Sequence, residues 1–250
     1  MFELNKIYNE DCLVTLSNMP NMFLDLVVTS PPYNVDLGNN KYHKNPYDLY
    51  RDNKDHQEYI KWLEHIFNNI YIKLKKGGRV CINIGDGKNG AVPTSSDIIQ
   101  FMKELNYIPI THIIWHKQTV GNRTSWGSWM SPSCPSFPTP FEHILVFAKD
   151  SKKLMEQGKT DLTKEEFIHW SLALWEFPPE NKQNKYGHNA MFPLELPIRC
   201  IKMFSWIDSI VYDPFCGAGT ACVAAKLLNR IYIGSEISEK YCEIAKQRLN

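Results

Sequence analysis

Three short segments concentrate residue types that do chemistry, and each follows an apolar run that reads as a strand. Thr29-Ser30-Pro31-Pro32-Tyr33 ends the run Asp25-Leu26-Val27-Val28. Two prolines stiffen the backbone and remove two N–H donors, so the Pro31 carbonyl can stand as a fixed acceptor beside the Ser30 hydroxyl, and Tyr33 adds a flat ring. Two acceptors and a stacking face suit a planar, amino-bearing base. In Asp213-Pro214-Phe215-Cys216-Gly217-Ala218-Gly219-Thr220 a glycine-bearing turn runs into a helix start. The glycines let the backbone approach a ligand, and the free N–H groups of the helix can hold a carboxylate or phosphate. Glu236 ends the next strand, where an acid is placed to accept hydrogen bonds from both ribose hydroxyls of a nucleotide-type cofactor. The turn is neither G-x-G-x-x-G nor G-x-x-x-x-G-K-S/T, which disfavours a dinucleotide or ATP. Each segment taken alone has a bland reading as well: a proline turn, a tight βα turn, a capping acid.

These segments need strands ending at one edge of a sheet. The pattern predicts a strand at 25–30 and a helix carrying Ile60, Leu63, Ile66, Phe67, Ile70 and Leu74 at three- and four-residue spacings, stopped by Gly77-Gly78. A strand at 79–84 follows, then a helix near 95–105, strands at 107–116 and 143–149, and an amphipathic helix near 163–174. The last part alternates a helix at 194–204, a strand at 209–213, a helix at 220–229, a strand at 231–235 and a helix at 238–249. Alternating strands and helices predict an α/β fold with a mostly parallel sheet. The two strands at 107–116 and 143–149 have no helix between them, which predicts an antiparallel strand at the sheet edge. Ligands of such sheets bind beyond the carboxyl ends of the strands. The polar stretch 34–55 reads as a lid or binding loop, and 119–140 as a loop dense in Ser, Pro and Trp.

Composition narrows the class. With 250 residues, 43% hydrophobic and 22% charged, the chain is not wholly disordered, collagen-like or a coiled coil. No apolar run reaches the roughly 18 residues of a membrane span, and no secretory signal is expected at the N-terminus. Seven scattered cysteines, none in C-x-x-C spacing, argue against a disulfide framework or structural zinc and for a reducing cytoplasm. The eight histidines are dispersed, so no metal site is expected. A net charge of +1 gives no global attraction to nucleic acid, so any such contact must be local. Residues 115–153 hold Lys117, Arg123, Lys149, Lys152 and Lys153 against only Glu142 and Asp150, with Trp126 and Trp129 among them. Positive charge with aromatics can hold phosphates and fill the gap left by an extruded base.

The motifs together carry a resemblance. Thr29-Ser30-Pro31-Pro32-Tyr33 resembles the catalytic S/D/N-P-P-Y/F motif of DNA amino-methyltransferases, and Asp213 to Thr220 resembles their S-adenosylmethionine motif. Gly234-Ser235-Glu236 looks like the ribose-binding acid. Tyr8-Asn9-Glu10-Asp11-Cys12 is similar to the G-D-C segment that contacts the cofactor's adenine, with Glu10 in place of Gly. His188-Asn189-Ala190-Met191-Phe192-Pro193 resembles H-P-A-x-F-P, with Asn189 in place of Pro. The catalytic motif precedes the cofactor motif, which is the permuted order of the family's β class.

The resemblance implies a Rossmann-like methyltransferase sheet divided into a catalytic half at 1–117, an edge strand with a small target-recognition segment at 118–187, and a cofactor half at 188–250. It implies catalytic roles for Ser30, Pro31, Pro32 and Tyr33. Cofactor contacts would come from Asp11, Asp213, Phe215, Gly217, Gly219, Thr220 and Glu236, and DNA contacts from Lys117, Arg123, Trp126 and Trp129. The expected activity is methyl transfer from S-adenosyl-L-methionine to an exocyclic amino group of DNA. A serine in the first motif position points to cytosine-N4, with adenine-N6, or an RNA or protein amide, as alternatives. DNA is the expected partner, with a cognate restriction endonuclease alongside. With the cysteine pattern and the lack of a long apolar run, the expected enzyme is cytoplasmic and free of membrane, a monomer or homodimer.

Overall fold

Among the described residues eight segments, most of them rich in β-branched and aromatic residues, become strands: β1 (Lys6–Tyr8), β2 (Leu24–Thr29), β3 (Leu74–Ile84), β4 (Tyr107–His116), β5 (Phe141–Lys149), β6 (Leu174–Glu176), β7 (Ile210–Asp213) and β8 (Ile231–Ser235). Among the described residues seven α-helices accompany them: α1 (Cys12–Asn18), α2 (His56–Lys73), α3 (Thr94–Glu104), α4 (Lys164–Trp170), α5 (Glu195–Phe204), α6 (Thr220–Leu227) and α7 (Glu239–Leu249). The computed structural model describes residues 2–34, 53–118, 127–135, 137–180 and 191–250.

The strands form one sheet in the order β1-β8-β7-β2-β3-β5-β4-β6. All neighbours are parallel except that β5 runs against β3 and β4. The antiparallel strand is therefore present but is not at the edge, which corrects the sequence expectation. The edge belongs to β6, three residues inside a polar stretch and too short to show a period of its own. Likewise β1 and α1 were not legible as periodic segments.

Strand side chains alternate between two apolar layers. On one face Val27, Val80, Ile82 and Leu145 meet Leu63, Phe67 and Ile70 of α2 and Phe101 and Met102 of α3. On the other, Leu26, Val28, Cys81, Ile144 and Val146 meet Leu196, Cys200 and Ile201 of α5 and Ala221 and Ala224 of α6. Burial on both faces explains the continuous apolar runs of the central strands. No helix among the described residues is long and apolar enough to cross a membrane.

Two regions differ from expectation by more than two residues. α2 ends at Lys73 and β3 starts at once, so Gly77-Gly78 is not the helix stop but an irregularity inside the strand. Gly77 has φ +79°, the pairing of β2 with β3 shifts register nearby, and a Cβ there would collide with the Lys153 carbonyl. The helix expected at 163–174 is only α4, closed at its start by a Thr163/Glu166 capping box, and its last residues pass into β6.

Candidate active site

The carboxyl ends of β2, β3, β7 and β8, with the opposing start of β5, converge on two adjoining concavities that share Pro32 and Phe215. One is walled by the Ser30–Tyr33 turn, Asn83, Trp115, Glu142 and Phe192. The other is walled by Asp11, Trp62, Phe215, Glu236, Ile237 and Tyr241.

In the first, the proline turn is held from behind: the buried Tyr59 hydroxyl of α2 donates to the Pro32 carbonyl at 2.6 Å. No hydrogen bond reaches the Pro31 carbonyl among the described residues. The Ser30 hydroxyl donates to Tyr33 Oη at 3.1 Å, and Tyr33 Oη donates to Glu142 Oε2 at 2.9 Å. A carboxylate only accepts, which sets the direction of this chain. Asn83, 1% exposed, donates from Nδ2 to Tyr33 Oη and Glu142 Oε2, both at 2.7 Å. Its Oδ1 is buried without a hydrogen-bond partner among the described residues. The Tyr33 ring lies on Gly85, where a Cβ would stand 3.2 Å from Cε2. The phenol is thus used at its hydroxyl as well as at its face, which the sequence alone did not reveal.

The second concavity is shaped by the glycine turn. Asp213, 1% exposed, accepts from the Thr29 hydroxyl at 2.6 Å and from the Phe215 N–H at 3.0 Å. Burial pushes its carboxyl up to about 7 despite these two donors. Gly219 caps α6 with φ +82°, and a Cβ there would lie 2.8 Å from the Ala245 Cβ, so α7 packs on bare backbone. Arg248 of α7 donates to the Ala218 carbonyl and to Thr220 Oγ1, pinning the turn to the helix. Glu236 is fixed by two backbone donors, Gly217 N–H on Oε2 and Ser238 N–H on Oε1, each at 2.8 Å. Asn9 ties the chain after β1 to the Glu236 and Ile237 carbonyls, and Asp11 caps α1 by accepting from the Leu13 N–H. The Cys222 sulfur 3.7 Å away, together with burial, holds the Cys216 thiol well above its usual range, so it stays a neutral thiol.

The structure thus brings Ser30, Pro31, Pro32, Tyr33, Phe215, Gly217 and Thr220 to one concavity and Asp11 and Glu236 to its neighbour. Asp213 and Gly219 stand behind the glycine turn rather than in the lining of either concavity. Lys117 lies in the first concavity, where its ammonium pairs with Glu142 Oε1 at 2.5 Å. Trp129 stands apart, 74% exposed, and is not a core residue. Arg123, Trp126 and the segment 188–190 lie outside the described residues, as does most of the 34–55 loop. Lys149, counted in the basic patch, is buried and donates to the Leu74 carbonyl. Asn83, Trp115 and Glu142 were missed by sequence reasoning. The one available signal was a polar Asn83 inside Val80-Cys81-Ile82-Asn83-Ile84, a run otherwise apolar. Among the described residues no cluster of His, Cys, Asp and Glu is suited to a metal.

A family model described as DNA methylase matches residues 24–247. The type II methyltransferase M.MjaVI of Methanocaldococcus jannaschii is 39% identical over 187 residues, 71% of this chain and 92% of that protein. The type II methyltransferase M.BglII of Bacillus subtilis is 29% identical over 262 aligned positions, covering 99% of this chain and 69% of that one. The TTHA0409 protein of Thermus thermophilus, solved in complex with S-adenosyl-L-methionine, matches with a TM-score of 0.74 at 27% identity, over 98% of this chain and 92% of that chain. With the family model spanning most of its length, the chain belongs to the N6/N4 DNA methylase family.

Proposed function

We propose that this protein methylates DNA, moving the methyl group of S-adenosyl-L-methionine to the exocyclic amino nitrogen of an extruded base, N4 of cytosine. The observation that carries the reading is the direction of the Ser30–Tyr33–Glu142 chain. With its hydrogen committed inward, Ser30 Oγ offers lone pairs to the pocket, beside a Pro31 carbonyl that no other group engages among the described residues. Two acceptors side by side match the two hydrogens of an amino group. Binding both hydrogens favours a tetrahedral nitrogen whose lone pair is freed from the ring.

The cofactor concavity suits an adenosyl group. Trp62 and Phe215, with ring centroids 5.4 Å apart, supply apolar faces. Glu236, locked by the Gly217 and Ser238 N–H groups, presents a fixed carboxylate for ribose hydroxyls, and Asp11 and Tyr241 line the same hollow. When bound, S-adenosyl-L-methionine supplies an activated methyl on a sulfonium, a good leaving group, so the protein's part is in-line positioning. Phe215 and Pro32 form the shared wall across which the two ligands would face one another. Trp129, standing exposed, and Arg123 and Trp126 outside the described residues, are proposed to contact DNA, the small target-recognition segment being the part of 118–187 outside the sheet strands β5 and β6. A cognate restriction endonuclease acting on the same site and a cytoplasmic location fit this reading.

Serine as the first residue of the motif supports cytosine over adenine. The test is incubation of DNA with methyl-labelled S-adenosyl-L-methionine, digestion to nucleosides and chromatography. Label in N4-methylcytosine is the expected outcome. Label in N6-methyladenine would move the target base while leaving the chemistry intact, and label in neither would overturn the reading.

A further inference from the structure

Lys117 follows β4 and was expected among phosphate-binding residues, yet its surroundings are those of a pocket wall. Its backbone N–H donates to the Pro140 carbonyl, which closes the β4–β5 pair and fixes the stem. Its ammonium is 2.5 Å from Glu142 Oε1 and 5.5 Å from the centre of the Trp115 ring. Trp115 and Glu142 are direct cross-strand partners, so both holders of the ammonium stand on one face of the sheet, the face that also carries Asn83. The other oxygen of Glu142 accepts from Tyr33 Oη, one hydrogen bond from Ser30. The side chain is 25% exposed, and Lys117 is the sole cation in the described lining of this concavity.

We propose that Lys117 is a specificity-determining residue that donates to the ring nitrogen next to the amino-bearing carbon of the extruded base, N3 in the case of cytosine. This rests on the preceding reading, in which Ser30 and the Pro31 carbonyl hold the amino group. That edge of the base presents a donor followed by an acceptor, so the pocket needs acceptors followed by a donor. Ser30 Oγ and the Pro31 carbonyl are the acceptors. Asn83 spends its amide hydrogens on Tyr33 and Glu142, and Lys117 is the cationic donor of the described lining, on the same face of the sheet. An ammonium has three hydrogens, and Glu142 takes one. Paired to a nearly buried carboxylate, the charge is also neutralised at long range and adds little to attraction for the DNA backbone. A thymine-like base, with N–H at that ring position, would face a second donor and be rejected.

The experiment combines one variant with one base analogue. Lys117→Met keeps an apolar stem on Trp115 and removes the donor. On ordinary DNA it is expected to lower kcat/KM by roughly 10- to 100-fold, the range for a lost hydrogen bond to a charged group, with the salt dependence of DNA binding unchanged. On DNA whose target cytosine is replaced by 3-deazacytosine, where C–H stands for the ring nitrogen, the unaltered enzyme should fall to the same level and Lys117→Met should lose nothing more. Lys117→Arg should restore part of the rate on ordinary DNA only. Additive losses from variant and analogue, or a salt slope lowered by about one in Lys117→Met, would make Lys117 a phosphate contact and overturn the proposal. If Lys117→Met does not fold, the analogue with the unaltered enzyme decides: equal rates on both DNAs reject the contact. Should N6-methyladenine be the product, 1-deazaadenine takes the analogue's place. Loss of any methylated product would instead reject the parent reading, so the two failures are distinct.

Discussion

At the scale of single residues, the pocket is governed by where the Ser30 and Tyr33 hydroxyls send their hydrogens, toward the accepting carboxylate of Glu142. In the proposed mechanism Ser30→Ala removes an acceptor felt mainly in the transition state, and is expected to cut kcat by about 100-fold, by analogy with a lost oxyanion donor, while cofactor affinity stays unchanged. Tyr33→Phe would be mild if the ring alone mattered. Because Oη accepts from Ser30 and Asn83 and donates to Glu142, the change should free the Ser30 hydrogen to turn into the pocket. Its turnover is expected to fall roughly 10-fold, a loss of one to two hydrogen bonds, with the KM for DNA little altered; steady-state kinetics on a single-site duplex checks both variants. Glu236→Ala is expected to weaken S-adenosyl-L-methionine binding by about 1.5–3 kcal/mol, read by calorimetry. The variant should remain folded, because Glu236 itself lines the concavity, so water can enter the space it leaves and reach the released Gly217 and Ser238 N–H groups.

At the scale of elements, the proposed cofactor site depends on how closely α6 and α7 approach. Gly219 is the contact point, with φ +82° and space for hydrogen but not for carbon against Ala245. Gly219→Ala combines a left-handed backbone with overpacking, and is expected to cost roughly 1–3 kcal/mol of stability from each cause. Because relief requires the turn to shift away from α7, cofactor affinity should fall with the urea midpoint. Ala245→Gly in the same chain removes the methyl that a Cβ at 219 would meet, and should recover part of both losses. Independent effects of the two substitutions on stability would mean that the helices do not meet there.

For the whole molecule, the buried Asp213 sets a pH dependence. Its folded value of about 7 lies above the ordinary 3.8, so between those values the folded chain keeps a proton that the unfolded chain has lost. Stability from this group is therefore full below pH 3.8 and falls as pH rises through 7, by up to roughly 4 kcal/mol at the upper limit of full desolvation. Asp213→Asn retains an oxygen for the Thr29 hydroxyl and the Phe215 N–H without the charge. Urea midpoints measured at about pH 5 and about pH 7.5 should fall less in the variant than in the unaltered protein. Equal falls in the two proteins would place the proton elsewhere.

The chemistry written in consecutive residues was determined by the sequence alone. A Pro-Pro turn after a strand, a glycine turn before a helix and an acid at the next strand end are local devices, each set by backbone conformations that a few neighbouring residues impose. That is why Ser30 to Tyr33, the turn from Asp213 to Thr220, and Glu236 were legible, along with the alternation of long, doubly buried strands and helices. The facing wall was decided only by tertiary structure. Glu142 meets Tyr33 across 109 positions of chain, Asn83 meets Glu142 across 59, and Lys117 reaches the same carboxylate from a third strand. Their meeting depends on β5 entering between β3 and β4 in one register, Asn83 opposite Ile144 and Trp115 opposite Glu142. A slip of one residue would turn Glu142 to the other face of the sheet, and that register is held by the burial of both faces together, a property of the packed sheet rather than of any one segment.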